Sequence, residues 1–145
     1  MKKSIKKTVL VLSVIVITSV IAMSFIPESK NSKQDGKEWI VPETAKKMKN
    51  PTQATAEDIK AGKALFAQHC KSCHGATGKG DGPKAGELDT PSGDFTSKEF
   101  QAQTEGSIFY KTKEGRVDMP SFKKKISEDE DIWLMVDYIR TLAVK

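Results

Sequence analysis

The sequence predicts an all-α fold for residues 55–145. Three observations carry this: capping signatures that open helices, an apolar stripe of helical period near the C-terminus, and no alternating run that would read as a strand. The first helix opens at Thr55-Ala-Glu-Asp58, where a hydroxyl and a carboxylate three residues apart can satisfy each other's backbone N–H groups. Ile59, Gly62, Phe66 and His69/Cys70 follow at helical spacing and make one face, on which Gly62 leaves room for another helix. Residues 75–94 are glycine-rich, contain Pro83 and Pro91, and read as loop. Thr96-Ser-Lys-Glu99 is a second capping pattern, ahead of Phe100. Ile108, Phe109 and Tyr110 mark a further helix, stopped at Gly115. Ser127-Glu-Asp-Glu130 opens the last helix, with acids in the first turn, where the helix dipole favours them. Ile132, Met135, Val136, Ile139 and Leu142 form its stripe, and Arg140 and Lys145 suit its negative end. A domain of 91 residues with such loops has little apolar core of its own, so it would be better stabilised around a large apolar cofactor.

The whole chain has 145 residues, enough for one small domain and too few for a large multidomain enzyme. Its formal net charge is +5, but Lys2, Lys3, Lys6 and Lys7 all precede the first acid, Glu28. The rest is close to neutral, which argues against nucleic-acid binding. After those lysines, Thr8 to Ile26 runs 19 residues without a charge. As a helix it would span about 28 Å, close to the hydrocarbon thickness of a bilayer. Residues 1–26 therefore read as a signal peptide or an uncleaved membrane anchor. Lysines stay on the cytoplasmic side, so the remainder is expected to be exported. Residues 27–54 are polar, lysine-rich and interrupted by prolines, and read as a linker before the domain at 55–145. Within that linker, Trp39, Ile40 and Val41 form an apolar cluster with two readings, docking on the domain or contact with lipid headgroups.

The motif that carries chemistry is Cys70-Lys71-Ser72-Cys73-His74. CxxCH is the attachment sequence of c-type haem. Two thiols two residues apart can reach the two vinyl groups on one edge of a porphyrin as thioethers, and the following imidazole can then ligate the iron. A redox CxxC pair would want a βαβ setting, which the pattern lacks. A zinc site would want a second ligand pair, and only His69 remains. Chance would place CxxCH in a shuffled chain of this composition on the order of once in five thousand. Export fits as well, because this haem is attached outside the cytoplasm.

A second axial ligand would close the iron to substrates, whereas an open position would admit gases or peroxide. Of the five methionines, Met1 and Met23 lie in the targeting segment, Met48 in the linker and Met135 on the apolar stripe. Met119 lies 45 residues after His74, in a loop after Gly115 and held extended by Pro120. That is enough chain to reach the opposite face of a haem. The competing reading of Met119 is an ordinary surface-loop methionine.

Residues 55–145 resemble a class I c-type cytochrome of bacterial type. The resemblance rests on Gly62-x-x-x-Phe66, Cys70-x-x-Cys73-His74-Gly75, Gly106-x-Ile108-Phe109, Gly115-Arg-Val-Asp-Met119-Pro120-Ser-Phe122 and Trp133-x-x-x-x-Tyr138-Ile139. It implies the class I cytochrome c fold, short helices around one covalent haem c, with orthogonal first and last helices. It implies His74 and Met119 as axial ligands and Pro83 as the carbonyl partner of the His74 ring N–H. Phe66, Ile108, Phe122, Trp133 and Met135 would line the haem crevice. The expected function is single-electron transfer without catalysis and without a small-molecule substrate, between a quinol-oxidising complex and a terminal oxidase or reductase. The alternative is a dedicated subunit of a larger membrane oxidoreductase. The expected location is the periplasmic side of the cytoplasmic membrane. Lys60, Lys63, Lys71, Lys79 and Lys123 to Lys125 suit an acidic partner.

Overall fold

A computed structural model of the chain describes residues 38–144, and the elements below are those of the described residues. Six helices follow in order: α1 (Glu43–Lys46), α2 (Ala56–His69), α3 (Lys71–His74), α4 (Lys98–Gln101), α5 (Glu105–Glu114) and α6 (Asp129–Thr141). A 3-10 turn at Ala85–Glu87 interrupts the loop between α3 and α4. The described residues contain no strand, and a single isolated bridge joins Arg116 and Met119. The all-α expectation holds. Among the described residues no helix is long and apolar enough to cross a membrane; Thr8–Ile26 lies outside them.

The helix starts follow local hydrogen bonding. Thr55 and Asp58 form the reciprocal box: the Asp58 N–H donates to the Thr55 hydroxyl at 3.2 Å, and the Thr55 N–H donates to the Asp58 carboxylate at 3.0 Å. At α4 the cap is Ser97, whose hydroxyl accepts from the Phe100 N–H at 3.2 Å. Thr96, the expected cap, instead donates to Asp94 at 2.7 Å, which moves the start by one residue. Helix α5 has a cap the sequence reading did not single out, the Thr104 hydroxyl, and ends at Gly115 with φ +70°, as expected. At α6 the expected Ser127 box does not form. Glu128 is the N-cap with no side-chain bond, so the acids Asp129, Glu130 and Asp131 meet the helix dipole instead.

The core is the crossing of α2 with α6. A Cβ at Gly62 would run into the carbonyl oxygen of Leu134 and crowd the Tyr138 Cβ at 3.1 Å, so the two backbones approach as closely as a missing side chain allows. One turn on, the Phe66 and Tyr138 rings lie 5.2 Å apart. The stripe residues Ile132, Met135, Val136 and Ile139 are buried, as predicted. Helix α5 closes the other side of α6 by stacking Phe109 on Trp133 at 4.2 Å. Arg140 does more than face its helix dipole. Its guanidinium donates to the carbonyls of Gln101, at 2.8 Å, and Gln103, tying α6 to the α4–α5 connection.

The end of the predicted linker is part of this unit. Val41 is 7% and Ala45 5% exposed, and the Ala45 carbonyl sits where a Cβ on Gly106 of α5 would be. Trp39 lies beneath the cations of Lys111 and Arg116, while Ile40 stays 81% exposed. Asn50 donates to Asp137 of α6 at 2.6 Å, and the Thr52 hydroxyl donates to the same carboxylate. Burial raises the Asp137 pKa above the usual carboxylate value, and these two donors act in the opposite direction. A raised folded-state pKa means that its favourable contribution is largest in acid and is lost as pH rises through that value.

Replacing Gly62 by Ala is expected to destabilise the domain by about 1–3 kcal/mol or more, because the added methyl meets backbone that cannot yield without parting the helices. Thermal unfolding checks this. A midpoint within a degree of the parent would contradict it.

Candidate functional site

The CxxCH segment sits at the corner between α2 and α3. Cys70 caps α2, its N–H donating to the Phe66 carbonyl at 2.8 Å. The N–H groups of Cys73 and His74 both donate back to the Cys70 carbonyl, at 3.2 and 2.9 Å, which draws the two thiols and the imidazole onto one turn. The glycine-rich loop then wraps that turn. Gly80, Gly82 and Lys84 donate to the carbonyls of His74, Cys73 and Ser72 at 2.9, 3.1 and 2.8 Å. Those carbonyls end a four-residue helix and have no further helical partner, so the loop satisfies them.

Burial distinguishes the two cysteines. Cys70 is buried with its sulfur 3.9 Å from that of Met135, and Cys73 is half-buried. Burial, and secondarily the Cys73 thiol, push the Cys70 thiol up to about 12. A nucleophilic cysteine needs the opposite shift, so Cys70 itself is not a reactive thiol in this environment. Among the described residues no group of three His, Cys, Asp or Glu side chains is placed to hold a metal ion.

His74 stacks on Phe95, with centroids 4.3 Å apart and planes 27° from parallel. Burial lowers its pKa to about 4, with the Ser92 backbone acting weakly the other way, so the imidazole is neutral near pH 7. Its Nδ1 is buried without a hydrogen-bond partner, and so is the Ser92 hydroxyl; Ser92 is close to the ring but not in bonding geometry. A neutral imidazole and two thiols on one turn, backed by an apolar cluster, are the donor set and surroundings that a covalent haem needs.

The expected crevice residues come together. Phe66, Ile108, Phe122, Trp133 and Met135 share one buried cluster with Cys70, and Met119 packs half-buried against it. Pro83 does not join them. It is exposed, and the backbone that acts on the His74 ring is that of Ser92. His69 lies edge-on to Phe122 at 5.9 Å. The residue missed from sequence is Phe95. It is buried, stacks on His74 and meets Phe66 at 6.2 Å and Phe100 at 4.4 Å. It lies in the loop before α4, where no periodicity marks an inward-facing position.

Met119 is presented by a tight turn. The Arg116 N–H donates to the Met119 carbonyl at 2.8 Å and the Met119 N–H returns the bond at 2.9 Å. Between them, Val117 has φ +51°, a left-handed conformation that a β-branched residue adopts only under constraint. The Asp118 carboxylate accepts from the Thr90 N–H at 2.9 Å, fastening the turn to the long loop.

The cytochrome c family matches residues 59–143, more than half of the chain. Among solved structures, a protein of the reducing HAO-like protein complex of Kuenenia stuttgartiensis is 31% identical, with a TM-score of 0.58. That match covers 65% of this chain and 47% of the other, so this chain spans about half the length of that relative. None of the curated proteins matches.

Phe95→Ala is expected to cost about 3–5 kcal/mol, the usual range for deleting a buried ring. Denaturant unfolding measures it. A loss below 1 kcal/mol would mean that the stack on His74 contributes little.

Proposed function

Since the chain belongs to the cytochrome c family, we propose that it is a monohaem c-type cytochrome that carries single electrons between redox proteins outside the cytoplasm. The observation that carries this reading is the CxxCH turn backed by a single apolar cluster against which Met119 also packs. Cys70 and Cys73 hold the group as thioethers. The neutral His74 imidazole and the Met119 thioether serve as the two iron ligands. Phe66, Ile108, Phe122, Trp133 and Met135 exclude water, and Phe95 keeps the imidazole in orientation. Haem c bound there supplies a one-electron ferric–ferrous couple, whose potential a soft thioether ligand raises. A haem held by both His74 and Met119 would leave no site for a substrate, so the role in this reading is carriage rather than catalysis.

Residues 1–26 act in this reading as an export signal or anchor, and 27–37 as the connection to the folded unit. The exposed lysines Lys60, Lys63, Lys71, Lys79 and Lys123 to Lys125 suit docking of an acidic partner, such as a quinol-oxidising complex or a terminal oxidase or reductase. A second reading is a dedicated subunit of a larger oxidoreductase, favoured by the likeness to a protein of the reducing HAO-like complex. Isolation of the native assembly from membranes separates the two. A stoichiometric catalytic partner supports the subunit, and a free haem protein supports the carrier.

Cys70→Ala with Cys73→Ala is expected to leave a polypeptide with no haem that resists acid–acetone extraction, and His74→Ala to abolish the low-spin spectrum. Met119→Ala is expected to lower the reduction potential and to let carbon monoxide bind the ferrous protein. Rapid binding of carbon monoxide by the parent would sink the carrier reading.

Replacing residues 1–26 by a cleavable export signal is expected to release soluble haem protein with an unchanged spectrum. Finding the natural protein free in the periplasm, beginning near Phe25, would show that the segment is a signal and not an anchor.

A further inference from the structure

We propose that Trp39 is a positioning residue for Met119, acting through Arg116, so that a segment outside the family domain steadies the sulfur read above as the second iron ligand. The inference rests on that reading of Met119, and its test separates the two.

The family match begins at residue 59, and the docked segment, with Trp39 twenty residues earlier, lies outside it. In that segment the Trp39 ring faces two cations, with the Arg116 guanidinium carbon 4.9 Å and the Lys111 ammonium 5.5 Å from its centroid. These cations repel each other: after burial, the Arg116 charge is the main cause that lowers the Lys111 pKa. The negative face of an indole attracts both and so holds together what would otherwise spread. Glu38, beside Trp39, acts on Lys111 in the same attractive sense. Val41 and Ala45, both buried, fasten the segment to the domain, so the ring is a fixed surface rather than a passing contact.

Arg116 is where this contact reaches Met119. Its N–H and C=O make both hydrogen bonds to the Met119 backbone, so a shift of one residue moves the other. The turn they enclose holds Val117 at φ +51°, and the Val117 side chain is 66% exposed, so its own packing does not impose that conformation. Strain of this kind persists only when the surroundings over-determine it. The restraints on the turn include these: Met119 packs on the core, Asp118 is bonded to the Thr90 N–H, and Arg116 lies on Trp39. The first two belong to the family domain, and the third comes from the segment that joins it to the N-terminal region. Loss of Trp39 removes one of these restraints, and a shift at Arg116 carries Met119 with it.

The test uses the full-length, haem-loaded protein. Exogenous imidazole is mixed with the ferric form, and its rate of entry is followed together with the sulfur-to-iron charge-transfer band. Trp39→Ala is expected to speed entry about two- to tenfold, the range that loss of one cation–π contact allows, and to weaken the band at a lower temperature than in the parent. Trp39→Phe, which keeps an aromatic face, is expected to restore most of the parent behaviour. Arg116→Ala should match Trp39→Ala, and the double variant should add little to either. A Trp39→Ala protein that melts earlier yet admits imidazole at the parent rate, with the band intact, would overturn the proposal, as would additive effects of the two substitutions. A parent protein that lacks the band and admits imidazole at once would overturn the Met119 reading instead.

Discussion

The molecule depends on a missing carbon. At Gly62 the backbones of α2 and α6 come so close that a Cβ would occupy the place of the Leu134 carbonyl oxygen. That contact sets where α2 lies on α6, and much else follows along the same face. Phe66 reaches Tyr138 one turn later, and Cys70 reaches the Met135 sulfur one turn after that. The attachment turn begins at the last residue of this register, so the helix crossing also locates the cofactor site. Packing of this kind is stiff, because interiors are filled to crystal-like density and have few voids into which to relax.

Around that crossing, backbone groups are satisfied by loops rather than by more helix. The carbonyls at the end of α3 receive N–H groups from the glycine-rich loop. The turn that carries Met119 is closed by two reciprocal bonds with Arg116 and tied by Asp118 to Thr90. Arg140 binds the carbonyls between α4 and α5. Small domains have little core to spare, and long loops in them need such fastening. The result is a site whose polar backbone is tied down while its side-chain interior stays apolar, the condition under which a buried haem keeps its ligands and water stays out.

Membership of the cytochrome c family and the class I cytochrome c fold explain the domain but not the segment before it. Residues 38–52 add a strap with its own short helix, two buried apolar anchors and a pair of side chains on Asp137. The strap places an aromatic ring under two cations beside the methionine turn. Burial raises the Asp137 pKa, and the two donors from the strap act against that shift where it crosses α6.

The sequence alone determined the all-α class, the α2 capping box, the Gly62 approach, the stop at Gly115 and the α6 stripe. Each is a local rule, a periodicity or a residue with one uncommon property, and such signals survive without neighbours. CxxCH was legible for the same reason, because its chemistry requires a fixed spacing within one turn. The tertiary structure alone decided the rest. Phe95 stacks on His74 from a loop with no period to betray it. Thr96 and Ser127 lost their caps to the neighbours Ser97 and Glu128, a choice made by where the chain enters each helix. Residues 38–54 read as linker because their polar composition hides a few anchoring side chains whose partners lie more than sixty residues away in sequence. Contacts between residues so far apart leave no spacing in the sequence. Only the folded chain brings them together.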